Sequence, residues 1–170
     1  MNKKLIILLA VFAVCAVLLV GGVVAAKTLL NQEIFIVLTW GKEPKDLDLV
    51  LTGTVPGSDD PFTLNWDVRE LSGYAMKDID DRSSYGPETI TITKRFDAPV
   101  VCSVRLFDRD SIEPDTLAKS GATVRVLRGG KVRATFEVDP SQTLPNWNVF
   151  QLMPNGKIKT LNTYDDTLFK

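Results

Sequence analysis

The chain has 170 residues, with 20 Lys plus Arg against 21 Asp plus Glu, two cysteines and no histidine. That length accommodates one domain and little more, and a net charge of −1 argues against nucleic acid as a partner. The absence of histidine excludes Ser-His and Cys-His nucleophiles and every His-ligated metal site, so we expect a protein that is not an enzyme.

The first element is an apolar N-terminal segment. Residues 5–26 form a run of 22 residues without a charged side chain, which as a helix would reach about 33 Å and cross a bilayer. Lys3 and Lys4 precede it, so the N-terminus is predicted to be cytoplasmic and the rest periplasmic or extracellular. We predict a transmembrane anchor or signal segment over 1–26, followed by a short tether over 27–32.

Whether this segment is retained or cleaved stays open. Val24-Ala25-Ala26 offers the small residues that precede signal-peptidase cleavage, but the apolar run is longer than an ordinary signal core. In both cases the rest of the chain is exported. It carries 17 basic residues, which is the total of 20 less Lys3, Lys4 and Lys27, against 21 acidic ones.

Alternating apolar and polar residues predict nine or ten short strands in the exported part. In the second of them Leu47, Leu49 and Leu51 share one face. Two hairpins are expected near the C-terminus, around Gly129-Gly130 and around Asn155-Gly156, both with type I′ turns. The predicted strands are 33–40, 46–52, 63–68, 74–79, 88–93, 100–107, 122–127, 132–138, 147–153 and 157–161.

These spacings predict an all-β fold, an antiparallel two-sheet sandwich of immunoglobulin or transthyretin type, preceded by one N-terminal transmembrane helix. The sandwich is expected over 33–163, with a C-terminal tail over 164–170. No amphipathic helix is predicted after the apolar segment, and Asp108 to Ser120 is expected to be a charged loop.

Two residue types within the predicted strands allow alternatives. Cys102 alternates with Val100 and Val104, which indicates a buried free thiol, although a bridge to another chain is the other interpretation. The tryptophans lie inside strand runs and are expected to be buried rather than to form a sugar platform; they are Trp40, Trp66 and Trp147.

Carboxylates cluster in two parts of the sequence. One is the start of the predicted strand 46–52, and the other runs from the end of strand 74–79 to the start of strand 88–93. Like charges so close together destabilise one another unless a cation lies between them. Ca²⁺ suits this need because it binds several carboxylate and carbonyl oxygens, while ion pairs with Lys77, Arg82 or Arg69 are the alternative. The candidate metal ligands are Asp46, Asp48, Asp80, Asp81 and Glu88.

Two further acidic patterns occur in the sequence. Asp108 to Asp115 begins like an EF-hand loop but lacks the glycine and the terminal glutamate of that motif, so an ordinary loop is expected. Paired carboxylates also occur in glycosidases, but nothing in the sequence separates an acid from a nucleophile.

The motifs together resemble a known family. Leu38-Thr39-Trp40, Asp46-Leu47-Asp48-Leu49 and Asp78-Ile79-Asp80-Asp81, followed by Tyr85-Gly86-Pro87-Glu88, occur in this order. The order resembles the YfaP-like bacterial domain of unknown function over about residues 34–162, and more weakly the pre-peptidase C-terminal domains. The resemblance implies an exported β-sandwich without established catalysis, and it groups the five candidate ligands as one set.

The sequence therefore predicts a membrane-anchored β-sandwich with a binding or structural role at the cell envelope. The membrane is contacted through residues 5–26, and the other partner is expected to be an envelope protein or glycan. Calcium is the one cofactor that the acidic residues suggest. A subunit of a surface filament and a carboxylate-dependent glycosidase are the alternatives.

Overall fold

The computed structural model describes residues 32–107 and 116–166. Its strands belong to one compact unit that begins at Glu33. In chain order the elements are β1 (Ile34–Thr39), β2 (Leu47–Thr54), β3 (Pro61–Leu64), β4 (Glu70–Leu71), β5 (Ala75–Lys77), β6 (Glu88–Ile92), β7 (Val100–Leu106), α1 (Thr116–Lys119), β8 (Thr123–Arg128), β9 (Lys131–Glu137), β10 (Asn146–Leu152) and β11 (Ile158–Asp165).

The strands form two antiparallel sheets, as the sequence predicted. One sheet has six strands in the order β4-β5-β6-β1-β8-β9, and the other has five in the order β11-β10-β7-β2-β3. The chain passes repeatedly from one sheet to the other, so sequence neighbours such as β1 and β2 lie in different layers. An all-β two-sheet sandwich is therefore the fold of the described residues.

The core lies between the sheets and follows from the period-2 alternation of the strands. In β1, Ile34, Ile36 and Leu38 are buried whereas Phe35 is 38% exposed. In the five-stranded sheet, Leu49 of β2 and Trp147 of β10 are completely buried. The two inner faces therefore supply the apolar surface whose burial stabilises the domain.

The two C-terminal hairpins have different turns. Gly129 and Gly130 both have positive φ, at 59° and 70°, which confirms the prediction for the β8–β9 turn. In the β10–β11 turn only Gly156 has positive φ, and its amide donates to the carbonyl of Met153 at 2.8 Å. The type I′ prediction there is wrong, because Pro154 joins the loop and makes it a three-residue turn closed by glycine.

Three other local predictions were wrong. The predicted strand 63–68 ends at Leu64, and Trp66 beyond it is 43% exposed instead of buried. The short strand β4 was not predicted, because its two residues are too few to show alternation in the sequence. The single-turn helix α1 lies in the segment predicted as a loop, and its residue Leu117 is buried.

Several predictions fall on residues that the structure does not describe. They are the membrane segment 5–26, the tether up to residue 31, the acidic stretch 108–115 and the end of the predicted tail. Within the described ranges there is no helix of the length and apolar character that would cross a bilayer.

The thiol of Cys102 is fully buried and unpaired, as expected from its alternation with Val100 and Val104. Burial raises the pKa of this thiol well above its usual range. A disulfide to another chain would require the strand to open, so the structure favours the buried-thiol interpretation.

Candidate cation site: a buried lysine among carboxylates

The site forms where an edge of the five-stranded sheet meets strands β5 and β6 of the other sheet. Strand β3 pairs only with Leu51–Thr54, so the first half of β2 has no neighbour on that side. The backbone amide of Leu49 is satisfied by Glu88, which begins β6 and accepts its hydrogen at 2.6 Å. A buried edge donor that lacked this partner would cost about 1–3 kcal/mol.

Lys77 lies at the centre of the site. In β5 it shares the inward face with Ala75, and its side chain has no exposed surface. Its ammonium nitrogen lies 3.3 Å from an oxygen of Asp48, 3.4 Å from one of Asp80 and 3.0 Å from one of Glu88. One buried cation therefore contacts three carboxylates that come from three different parts of the chain.

Arg82 forms the outer layer of the same network. Its Nε donates to Asp80 at 3.0 Å and lies 4.0 Å from Asp46, and its side chain is 60% exposed. The guanidinium also lies over the ring of Phe107, 5.6 Å from its centre. Because Arg82 faces solvent, its attraction for these acids is screened far more than that of Lys77.

The ionisation of the site reflects opposing effects of burial and charge. Burial raises the pKa of Glu88 to about 7, although Lys77 and the Leu49 amide oppose the shift. Burial likewise raises the pKa of Asp48. Burial alone would lower the pKa of Lys77, but the attraction of Glu88 and Asp48 reverses the direction, so the ammonium stays protonated.

Asp46 lies beside the cluster without a full set of partners. Its side chain is 16% exposed, and its Oδ1 is buried with no hydrogen-bond partner among the described residues. Burial, followed by repulsion from Asp48 and Asp80, raises its pKa to about 6. The ionised form of Asp46 is therefore disfavoured in the folded state relative to the unfolded chain.

Three of the predicted ligands could together hold a metal ion. One oxygen from each of Asp48, Asp80 and Glu88 lies within 4.8 Å of the others, and carboxylates are the ligands that hard divalent cations prefer. However, the Lys77 ammonium already lies between these oxygens. The donor set fits a hard cation, but the position does not fit one while Lys77 occupies it.

The other two predicted ligands are placed differently. Asp46 adjoins the cluster through its repulsion with Asp48 and Asp80. The carboxylate of Asp81 instead accepts the amide and hydroxyl hydrogens of Ser83, at 2.7 and 2.6 Å, and only its backbone amide donates to Glu88, at 3.3 Å. Asp81 thus shapes the turn rather than contributing an oxygen to the centre.

The sequence indicated the acids but did not single out the lysine. Lys77, Arg82 and Arg69 were equivalent as possible ion-pair partners, and the structure brings Lys77 and Arg82 to the acids. The available signal was the parity of β5, because Lys77 stands two residues from Ala75 and must share its inward face.

Asp46→Asn is expected to remove a pH dependence of stability. A carboxyl whose folded pKa is raised above the unfolded value of about 4 makes the domain less stable as pH rises from about 4 to about 6. The variant should therefore gain on the order of 1 kcal/mol relative to the wild type at pH 8, and this gain should shrink toward pH 5. Urea unfolding at several pH values measures the difference.

Asp78→Asn is the matched control, since Asp78 belongs to the other acidic stretch, two residues before Asp80, but is exposed. Its difference from the wild type should stay flat over this pH range. A flat difference for Asp46→Asn as well would show that the burial of Asp46 has no energetic consequence.

Comparisons with known proteins identify the architecture. No protein-family model matches the chain, and no curated protein matches it. A solved structure of the unknown-function protein SAV2460 superposes with a TM-score of 0.62 at 20% identity, covering 81% of this chain and 92% of that one. These values show a shared fold.

A second solved structure agrees. SCO6318 from Streptomyces coelicolor A3(2), a homologue of the telluride resistance protein TerD, superposes with a TM-score of 0.64 at 16% identity. This superposition also covers 81% of this chain and 92% of the SCO6318 chain. At these identities both likenesses concern the fold alone, which supports the two-sheet sandwich and leaves function to the residues of this chain.

Proposed function

We propose that this protein is a non-catalytic binding domain held at the cell envelope by an N-terminal membrane anchor. The observation that carries the binding role is an exposed aromatic pair at the end of the sandwich that bears the cation site. Trp66 and Phe107 are 43% and 46% exposed, and their rings meet edge to face with centres 6.0 Å apart. Aromatic side chains beside an arginine, here Arg82 over Phe107, are typical of residues that dominate protein interfaces.

The closed state of the acidic cluster supports a role other than catalysis. A glycosidase needs two carboxyl groups facing a cleft that admits a sugar. Here Glu88 and Lys77 have no exposed side-chain surface, and Lys77 contacts the same oxygens that a substrate would need. The cluster therefore resembles an internal ion-pair network, and the exposed aromatic pair beside it is the surface available to an envelope protein or glycan.

The anchor is supported by the 22-residue apolar run at residues 5–26. The full chain is expected to sediment with membranes and to resist extraction at alkaline pH. A chain lacking residues 5–26 should remain in the soluble fraction with an unchanged unfolding curve, because the buried core lies between Ile34 and Leu152.

A matched variant tests hydrophobicity separately from length. Val14→Lys combined with Leu18→Lys keeps the segment complete but adds two charges near its centre, each costing about 2.5–3.5 kcal/mol for insertion. This variant should also leave the membrane fraction. Recovery of the unmodified chain in the soluble fraction would contradict the anchor.

We propose further that Ca²⁺ and the Lys77 ammonium compete for one position, with Lys77 as the resident cation. The support is the convergence of Asp48, Asp80 and Glu88 on a single point that Lys77 fills. Calcium should therefore have little effect on the melting temperature of the wild type and should raise that of a chain without the Lys77 charge.

A further inference from the structure

The end of the sandwich opposite the acidic cluster carries a basic surface built by two adjacent turns. Arg128 ends β8 and pairs in register with Lys131 across the Gly129–Gly130 turn. Its guanidinium donates to the carbonyl of Gly156 at 3.3 Å, so the β8–β9 turn touches the β10–β11 turn. We call this surface the basic end; its residues are Arg95, Arg128, Lys131, Arg133 and Lys157.

The charges of the basic end are close enough to repel one another. Burial lowers the pKa of Arg128, and repulsion from Arg95 and Arg133 lowers it further. Lys131, Arg133 and Lys157 are exposed. The ion pairs of Lys77 and Arg82 lie at the opposite end of the molecule.

Asp97 is an acidic residue of the same end that lies apart from this surface. Asp97 accepts the amide hydrogen of Gly57 at 2.7 Å, which places it with the β2–β3 loop at the far edge of the five-stranded sheet. Glu33 is exposed and immediately precedes Ile34, the residue of β1 that pairs with Arg128. The exported part has more acidic than basic residues, so this concentration of positive charge is not explained by composition.

The tip of the basic end is also partly apolar. Val132 stands between Lys131 and Arg133 and is 53% exposed. An exposed valine at the tip of a cationic hairpin suits an interface with lipid headgroups, where the charges meet phosphate and the apolar group reaches the acyl boundary.

The path of the chain favours a membrane as the partner of the basic end. Strand β1 begins at Ile34, which pairs with Arg128, so the chain enters the sandwich at the basic end. Residues 27–33 separate this point from the apolar segment, and seven residues span at most about 25 Å. An anchored domain would therefore keep its basic end within reach of the bilayer surface.

We propose that the basic end docks on anionic phospholipid headgroups and thereby orients the domain, with the aromatic pair and the cation site pointing away from the bilayer. This inference rests on the proposed anchor. Basic residues near an anionic bilayer contribute attraction that salt screens.

The test uses the full chain in vesicles of phosphatidylcholine alone or mixed with phosphatidylglycerol. Hydrogen exchange at the amides of Gly129, Gly130 and Asn155 should slow on the order of tenfold in the anionic vesicles, and high salt should abolish the difference. Lys131→Glu combined with Arg133→Glu should abolish it too. Lys42→Glu combined with Lys45→Glu changes the net charge equally at the other end and should leave it intact.

The outcomes separate docking from anchoring. Flotation with both kinds of vesicle and equal exchange in both would overturn docking while the anchor stands. Flotation with anionic vesicles alone, lost on reversal of Lys131 and Arg133, would support docking and contradict the anchor. Flotation with neither, or binding only to an acidic polymer, would overturn the lipid proposal.

Discussion

Lys77→Met is expected to lower the free energy of unfolding by about 3–5 kcal/mol at pH 7.5, the usual cost of removing one partner from a buried ion pair. Methionine keeps most of the side-chain volume, so the loss reports charge rather than a cavity. The cause is that Asp48, Asp80 and Glu88 would keep their burial but lose the cation that lies within 3.4 Å of each. Urea unfolding at fixed ionic strength measures the change.

Arg82→Met is the matched control for this variant. It removes the other cation of the same network, but the Arg82 side chain is 60% exposed and water already screens its charge. Stability should change little. Equal losses for the two variants would show that the position of Lys77 at the centre of the site has no special role.

The pH dependence distinguishes charge from packing in Lys77→Met. Without the ammonium, the folded-state pKa values of Asp48 and Glu88 rise above their already raised values, so the folded state takes up protons that the unfolded chain releases. The variant should therefore recover stability as pH falls from about 7 toward 5. A loss that is constant over this range would indicate a packing defect.

Calcium provides the second readout of the same variant. With the ammonium gone, the three converging oxygens should accept a divalent cation, and millimolar Ca²⁺ should raise the melting temperature of Lys77→Met but not of the wild type. Adding Asp48→Asn to the variant should erase the rise. A rise in the wild type as well would contradict the competition between calcium and Lys77.

The strands could be predicted from the sequence because their side chains alternate. Leu47, Leu49 and Leu51 point inward together, and the same parity holds for Val100, Cys102 and Val104, so both the element and its buried face follow from period 2. Strand β4 has only Glu70 and Leu71, and two residues cannot show a period. Its existence depends on pairing with β5 rather than on local preference.

The candidate site could be predicted in part. The structure brings Asp48, Asp80 and Glu88 together around one cation, as carboxylates at such density require. The identity of that cation depends on strand β5 placing one lysine against an unpaired edge of the other sheet, which is a tertiary relation. Asp81 was misplaced for a local reason, since an aspartate two residues before a serine readily closes its own turn.

The second large effect is expected at Gly86, two residues before Glu88. Gly86 has φ of +74°, and a Cβ there would lie 2.7 Å from the ring of Trp40 and 3.1 Å from the carbonyl oxygen of Leu38. Gly86→Ala combines the cost of a left-handed conformation, about 1–2 kcal/mol, with overpacking against Trp40, about 1–3 kcal/mol. A loss of about 3 kcal/mol is expected in urea unfolding.

Gly121→Ala separates the two contributions. Gly121 has φ of +64°, but nothing lies within 4 Å of a Cβ added there, so only the conformational cost of about 1–2 kcal/mol should appear. In a Trp40→Leu background the loss caused by Gly86→Ala should fall toward that of Gly121→Ala, because the smaller side chain relieves the contact. The Trp40 indole also donates to the carbonyl of Pro44 at 2.9 Å, just ahead of β2. An undiminished loss in that background would assign the cost to the backbone alone, whereas the expected reduction would show that the close approach of Trp40 to Gly86 causes the additional loss.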